Sequence, residues 1–408
     1  MSVKSWSVKA SSCAMRTSNI IRMIMGSGLQ WNPEKSRIPL SIGDPTVFGN
    51  LKTHQEVVDA TVDAVKSFKS NGYTDSSGSP TAREAIAERF SLPEVPLTAA
   101  DIVITSGCSQ ALDIATNALC SEGENILLPR PGFPLYATQC DHAGIASKFY
   151  NLIPEKNWEV DLKHMDSLVD SKTRAILINN PSNPCGSVYS AEHLRDVLRI
   201  AEKHRLPVIA DETYLDMVFP PKKFVPCASL GVKVPILSVA SLAKLWLVPG
   251  WRVGWICIQD LVGGSCLDEV RDAITRLTTI IVGANTIVQG AIPRIMKIPA
   301  KWHYDEVTKV VEKHSRMFFD AFKKIDGIRM EMPEGAMYGM MEIEVDKFKD
   351  IENDLQFSQM LVKEESVHVL PGSAFLMPNF CRIVTSVPED RIVEACERIA
   401  AFCKRHMK

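Results

Sequence analysis

The 408-residue sequence is short of several things, and each shortage excludes a class of function. No apolar run approaches the ~18 residues that a membrane-spanning helix needs. Net charge is nearly absent, because 46 basic residues face 48 acidic ones and leave a formal charge of −2. No block of Lys and Arg is interleaved with aromatics, so nothing draws the chain to nucleic acid or to an anionic membrane surface. Eleven cysteines include no C-x-x-C pair and nine histidines no H-x-x-x-H pair, which argues against a metal site. An odd number of scattered cysteines points instead to reduced thiols inside a cell. No G-x-G-x-x-G follows the first strand of the sheet pattern, which counts against a nucleotide-binding dehydrogenase. Internal repeats are absent, and no acidic residue precedes Glu34. That serine-rich start carries Lys4, Lys9, Arg16 and Arg22. Such a composition resembles a mitochondrial transit segment, whereas its weak amphipathic period fits an ordinary N-terminal arm. A cytoplasmic location is expected, with the mitochondrion as the alternative.

An apolar content of 46% over this length is enough to bury a large core in two or three domains. From about residue 100, short apolar runs alternate with helical patterns, the signature of a parallel sheet covered by helices. Strands are expected at residues 101–105, 125–128, 174–178, 207–210 and 235–238. Helices are expected from Ser109, with Leu112, Ala115 and Leu119 on one face, and after a Ser190 cap, with Leu194, Val197, Leu198 and Ala201 repeating at helical spacing. Beyond residue 310 two helical stretches surround strand-like runs at 337–344 and 367–370, which predicts a smaller α+β domain. The expected division is an arm and part of the small domain over 1–50, a large domain over 51–305, and a C-terminal small domain over 306–408.

Open α/β sheets bind ligands beyond the carboxyl ends of their strands, so the polar residues there carry the argument. Lys244 sits among Leu, Trp, Val and Pro, a setting that disfavours an ammonium ion and leaves an amine able to condense with an aldehyde. Pyridoxal phosphate is the biological aldehyde that needs such a lysine. Arg252 returns eight residues later, after Pro249-Gly250, as a fixed cation for a phosphate. Ser106-Gly-Cys-Ser-Gln110 joins a strand to a helix, so the amides of Cys108 and Ser109 can face an anion; the same residues also make a plain tight turn. Asp211 follows a strand, where it can pair with a protonated ring nitrogen or simply cap a helix. Tyr214 and Asn183 can reach a phenolic oxygen, although the Asn/Pro string around Asn183 also reads as plain loop punctuation, and Phe133 can stack on a flat heterocycle or sit in the core. Arg382, at the start of a small-domain strand, suits a carboxylate clamp or an ordinary surface position.

In this order the motifs resemble the fold-type-I aminotransferases dependent on pyridoxal phosphate. The resemblance rests on Ser41-Ile-Gly-Asp-Pro-Thr-Val-Phe-Gly-Asn50, Asn71-Gly-Tyr73, Thr105-Ser-Gly-Cys-Ser-Gln110, Pro129-Arg-Pro-Gly-Phe133, Asn180-Pro-Ser-Asn-Pro-Cys-Gly-Ser187, Leu247-Val-Pro-Gly-Trp-Arg252 and Gly335-Ala-Met-Tyr338. It implies an α/β fold whose large domain holds a mainly parallel seven-stranded sheet. It also implies a ping-pong transfer of the amino group of tyrosine, with other aromatic or further amino acids, to a 2-oxo acid such as 2-oxoglutarate or pyruvate. By position, Lys244 would form the imine with the cofactor and shuttle the proton. Asp211 would pair with the ring nitrogen, and Asn183 and Tyr214 with its phenolic oxygen. Ser241, Arg252 and the Cys108-Ser109 turn would hold the phosphate, and Phe133 would cover the ring. Arg382 would clamp the substrate carboxylate with the backbone near Gly43 and with Asn183. Tyr73 would reach the phosphate of a neighbouring subunit, which implies a homodimer. Leu245 and Thr213 depart from the family pattern, and Leu245 is expected to make the pocket floor less polar. A broad aspartate or alanine aminotransferase, a cofactor-dependent carbon–sulfur lyase and a non-catalytic binding protein on the same fold stay open as alternatives.

Overall fold

The computed structural model describes residues 7–25 and 28–408, so Lys4 lies outside the described residues. Buried, β-branched runs build its centre: β1 (Ile102–Thr105), β2 (Asn125–Arg130), β3 (Ala146–Ile153), β4 (Glu159–Val160), β5 (Thr173–Asn179), β6 (Val208–Asp211), β7 (Ile236–Ser241) and β8 (Gly254–Gln259). Among the described residues they form one sheet in the order β1-β8-β7-β6-β5-β2-β3-β4. Neighbours from β7 through β3 run parallel, whereas β8 is antiparallel to both β7 and β1. Seven strands make the body of the sheet, as expected. The eighth, β4, is a two-residue edge paired antiparallel with β3, too short to leave a pattern in sequence.

Alternation along β5 shows how the sheet is covered. Ile176 and Ile178 pack in one core cluster with Leu194, Val197 and Leu198 of the helix Ala191–His204. Ala175 and Leu177 pack in another with Leu112 and Ala115 of the helix Cys108–Leu119. Helices on both faces explain why these strands read as continuous apolar runs rather than alternating ones. Ser190 caps its helix as expected, its Oγ accepting from the His193 amide at 3.1 Å, a bond of the kind that stabilises by about 1 kcal/mol.

The last hundred residues form a second body around an antiparallel sheet, β9 (Ile328–Met330), β10 (Tyr338–Ile343), β11 (Leu370–Pro371) and β12 (Phe380–Val384), in the order β9-β10-β12-β11. The expected strand at 367–370 is divided: Val367–His368 pairs with Ile38–Pro39 instead, parallel to it. That pairing, with Ile38 and Leu40 in the same core as Phe318, Phe357 and Phe402, ties the beginning of the chain to its end. Further upstream, the helix Ser12–Arg16 lies on the large body, where Arg16 donates to the carbonyl of His142. The helix Ile20–Met25 then crosses to Phe375, against which Ile21 and Ile24 pack. Among the described residues no helix is long and apolar enough to cross a membrane.

Candidate active site

Register brings the polar strand ends together. Asn179 pairs with Asp211 across β5 and β6. On the other side Ser241 pairs with Gly254, and Gly254 with Thr105. The loops leaving β1, β5, β6 and β7 therefore open on one cavity of about 510 Å³, closed from above by Ser41–Gly43, Tyr338 and Arg382 of the second body. Lys244, Asp211, Tyr214, Asn183, Ser241, Arg252, Cys108, Ser109, Phe133, Arg382 and Gly43 all line it. Tyr73 does not, and is 92% exposed.

Lys244 lies on the short turn of helix Leu242–Leu245 that follows β7, and it is buried. Its Nζ donates to the Gly43 carbonyl at 2.8 Å. A side chain at Gly43 would put its Cβ 2.7 Å from the Tyr338 hydroxyl, so the close approach of this loop depends on glycine. Asp211 is buried at the tip of β6. Its Oδ2 accepts from the Tyr136 hydroxyl at 2.7 Å, and its Oδ1 from the Thr213 amide at 3.2 Å and the Cys108 thiol at 3.9 Å. Burial pushes this carboxyl above its ordinary range, against the pull of those donors toward ionisation. The Cys108 thiol is pushed well up by burial and by the Asp211 charge, so it stays a thiol.

Arg382 crosses from β12 into the cavity. It donates from Nη1 to Asn183 Oδ1 at 3.0 Å and from Nη2 to the Ser41 carbonyl at 2.7 Å, while its buried Nε has no partner. Its guanidinium lies over the Tyr338 ring at 4.5 Å. Tyr338 in turn shares a 2.8 Å hydrogen bond with Tyr214, whose hydroxyl is held well above its usual range by burial and by Tyr338. Phe133 meets Tyr136 edge-on at 5.7 Å.

The anion end lies at Gly107. Its φ of 78° starts the helix Cys108–Leu119, and a Cβ there would fall 2.4 Å from Arg252 Nη2. Among the described residues Arg252 donates only to the carbonyls of Pro249 and Ser106, at 3.0 and 3.3 Å. Beside it Ser241 Oγ is fully buried and has no partner among those residues. Among the described residues no ion pair neutralises Lys244, Arg252, Arg382 or Asp211. Arg22, which no functional reading of the sequence singled out, also lines the cavity. One carboxylate thus faces four cations, an imbalance that suits an anionic ligand carrying a phosphate or a carboxylate.

Tyr136 was not distinguishable from core aromatics in sequence, and Tyr338 stood in the motif Gly335-Ala-Met-Tyr338 without an assigned role. Tyr136 follows an apolar turn and Tyr338 precedes Gly339-Met-Met, and only the fold turns their hydroxyls toward Asp211 and Tyr214. Leu245 differs from expectation: it is buried with Trp246 and Trp255 in the helix-covered core and does not line the cavity, because the one-turn helix directs consecutive side chains to opposite sides. Thr213 does face the site, donating from Oγ1 to Cys108 Sγ at 3.0 Å.

A model of the family aminotransferase class I and II matches residues 35–399. Tyrosine aminotransferase of Bos taurus is 48% identical over 405 residues, covering 98% of this chain and 90% of that protein. The tyrosine aminotransferase of Dictyostelium discoideum is 43% identical over 412 residues, covering 100% and 99%. Among solved structures, tyrosine aminotransferase from Leishmania infantum matches with a TM-score of 0.95 at 37% identity, covering 99% of this chain and 100% of that one. Alanine aminotransferase from Pyrococcus furiosus matches with a TM-score of 0.90 at 29% identity, covering 98% and 100%.

Proposed function

Because the chain belongs to the class I and II aminotransferases, we propose that it moves the amino group of tyrosine, and of related amino acids, to a 2-oxo acid with pyridoxal phosphate as its cofactor. The observation that carries this reading is the charge balance of the cavity, where an amine, three guanidinium groups and a helix start surround a single carboxylate. Tyrosine as donor is supported by relatives of that name at 43–48% identity over nearly the whole chain.

The residues present fit the cofactor. Arg252, the unpartnered Ser241 Oγ and the amides of Cys108 and Ser109 form a cradle for a phosphate, with the helix dipole behind it. Asp211 would pair with a ring nitrogen, Asn183 and Tyr214 would hold the phenolic oxygen, and Phe133 would cover one side. When bound, pyridoxal phosphate supplies an electron sink for the pair left behind as a substrate loses its α-proton. Lys244 would carry the covalent attachment. Its tethered amine would hold and return the substrate α-proton, a transfer made effectively intramolecular by the tether. Arg382, preset by Asn183 and Ser41, would orient the substrate carboxylate together with the Gly43 backbone. Residues 51–305 would form the cofactor-binding domain, and 1–50 with 306–408 the domain that bears the clamp. In a homodimer Tyr73 would reach the partner's phosphate.

Lys244→Ala tests this directly. It is expected to fold, to bind the cofactor without a borohydride-reducible link and to lose about 10³-fold or more in turnover with tyrosine and 2-oxoglutarate. Near-normal turnover would falsify the assignment. Release of pyruvate and ammonia from a cysteine conjugate by the parent protein, without amino transfer, would identify a lyase instead.

A further inference from the structure

We propose that Tyr136 is a positioning residue that fixes and polarises the Asp211 carboxylate toward the cofactor ring, with the Cys108–Thr213 pair bracing the opposite oxygen. The inference rests on the cofactor reading above and concerns what holds the carboxylate. Tyr136 is 3% exposed and its hydroxyl, 2.7 Å from Asp211 Oδ2, is spent on that one bond. On the far side, Thr213 gives its amide to Oδ1 and its hydroxyl to the Cys108 sulfur, whose thiol then points at the same Oδ1. A carboxylate gripped at both oxygens has lost its rotation about χ2, so its remaining lone pairs are aimed by the grip. The titratable groups facing Asp211 are Tyr136 and Cys108, with Tyr214 beyond them, and burial keeps all three protonated. Tyr136 and Cys108 donate hydrogen bonds to Asp211 without adding charge, so among the described residues the carboxylate is the one negative group lining the cavity.

Tyr136→Phe removes one hydroxyl from a buried ring and keeps its shape. In the holoenzyme it is expected to lower kcat about 10-fold with KM changed by less than about 2-fold, the size of one lost charge-assisted bond. A ring nitrogen less firmly protonated repels a proton on the imine less. The pH midpoint of the bound cofactor's visible band should therefore rise by about half a unit or more. With ¹⁵N-labelled cofactor the ring nitrogen resonance should move toward the deprotonated position. Thr213→Val, which keeps the amide bond but frees the Cys108 thiol that the hydroxyl holds against the other oxygen, should shift the same two signals in the same direction to a smaller extent, and serves if Tyr136→Phe does not fold. Parent-like midpoint and ¹⁵N shift in both variants overturn the proposal, as does a Tyr136→Phe protein that loses cofactor affinity but keeps those spectra. A parent protein with no visible band overturns the cofactor reading itself, and this inference with it.

Discussion

Asp211 and Glu212 are sequence neighbours with opposite surroundings. Both are buried at the end of β6, but successive side chains leave a strand on opposite faces, so only Asp211 enters the cavity. Glu212 turns into the body of the protein, where its Oε1 accepts from the Cys227 amide at 2.9 Å. Burial pushes its carboxyl up to about 7, from an ordinary 4.5. A carboxyl raised in the folded state binds its proton more tightly there than in the unfolded chain. Stability contributed by this group is then present below the unfolded value of 4.5 and is lost as pH rises toward 7. Glu212→Gln keeps an acceptor for the Cys227 amide and removes the titration. The variant should match the parent in Tm near about pH 5 and exceed it at about pH 8; a difference that does not change with pH would contradict the buried-carboxyl argument. At this scale the sequence was readable where chemistry needs a rare residue type, as with a lysine in an apolar run or an arginine entering a strand. It was unreadable where a common one is recruited: Tyr136 carries no mark that separates it from core aromatics.

Secondary-structure elements contribute their ends. Short strands of uniform apolar character deliver Thr105, Asn179, Asp211 and Ser241 to one edge, and the turn at Gly107 aims a helix start at the same place. Gly107→Ala would require a side chain at φ 78° and a Cβ 2.4 Å from Arg252 Nη2. The strained backbone costs roughly 1–2 kcal/mol, and Arg252 must move away. The expected outcome is a folded protein whose affinity for pyridoxal phosphate and for inorganic phosphate falls about 10-fold or more. Calorimetric titration measures it, and unchanged affinities would remove this turn from the phosphate cradle. The strands at β1, β2, β5, β6 and β7 were visible in sequence because both of their faces are buried. β3 was not, since its exposed and half-buried positions break the apolar run, and β8 was hidden behind the Pro249-Gly-Trp turn.

The large-scale surface bears on how many chains are needed. Helix Gln55–Lys66 exposes Val58, Val62 and Val65 one turn apart, followed by Phe68 and Tyr73, and Ile280–Val282 is exposed as well. Thr278, next to that stretch, shares a hydroxyl bond with Ser76, which places the two segments side by side. Exposed apolar side chains on neighbouring segments would suit a second copy of the chain. If Tyr73 serves the partner's site, then mixing Lys244→Ala subunits with Tyr73→Ala subunits yields hybrids with one complete site. Each homodimer should be impaired and the reassembled mixture should regain activity; no recovery in a verified hybrid would place Tyr73 outside the partner's site.

What the sequence determined by itself is the family, the order of strands and helices and the residues with unusual chemistry, because these follow from local periodicity and from residue types with few other uses. The tertiary structure decided which of them share a cavity, which carbonyls preset Lys244 and Arg382, and which tyrosines face Asp211 and Tyr214. Those are distances between segments up to 341 residues apart in the chain, and sheet register and the packing of the second body on the first are what fix them.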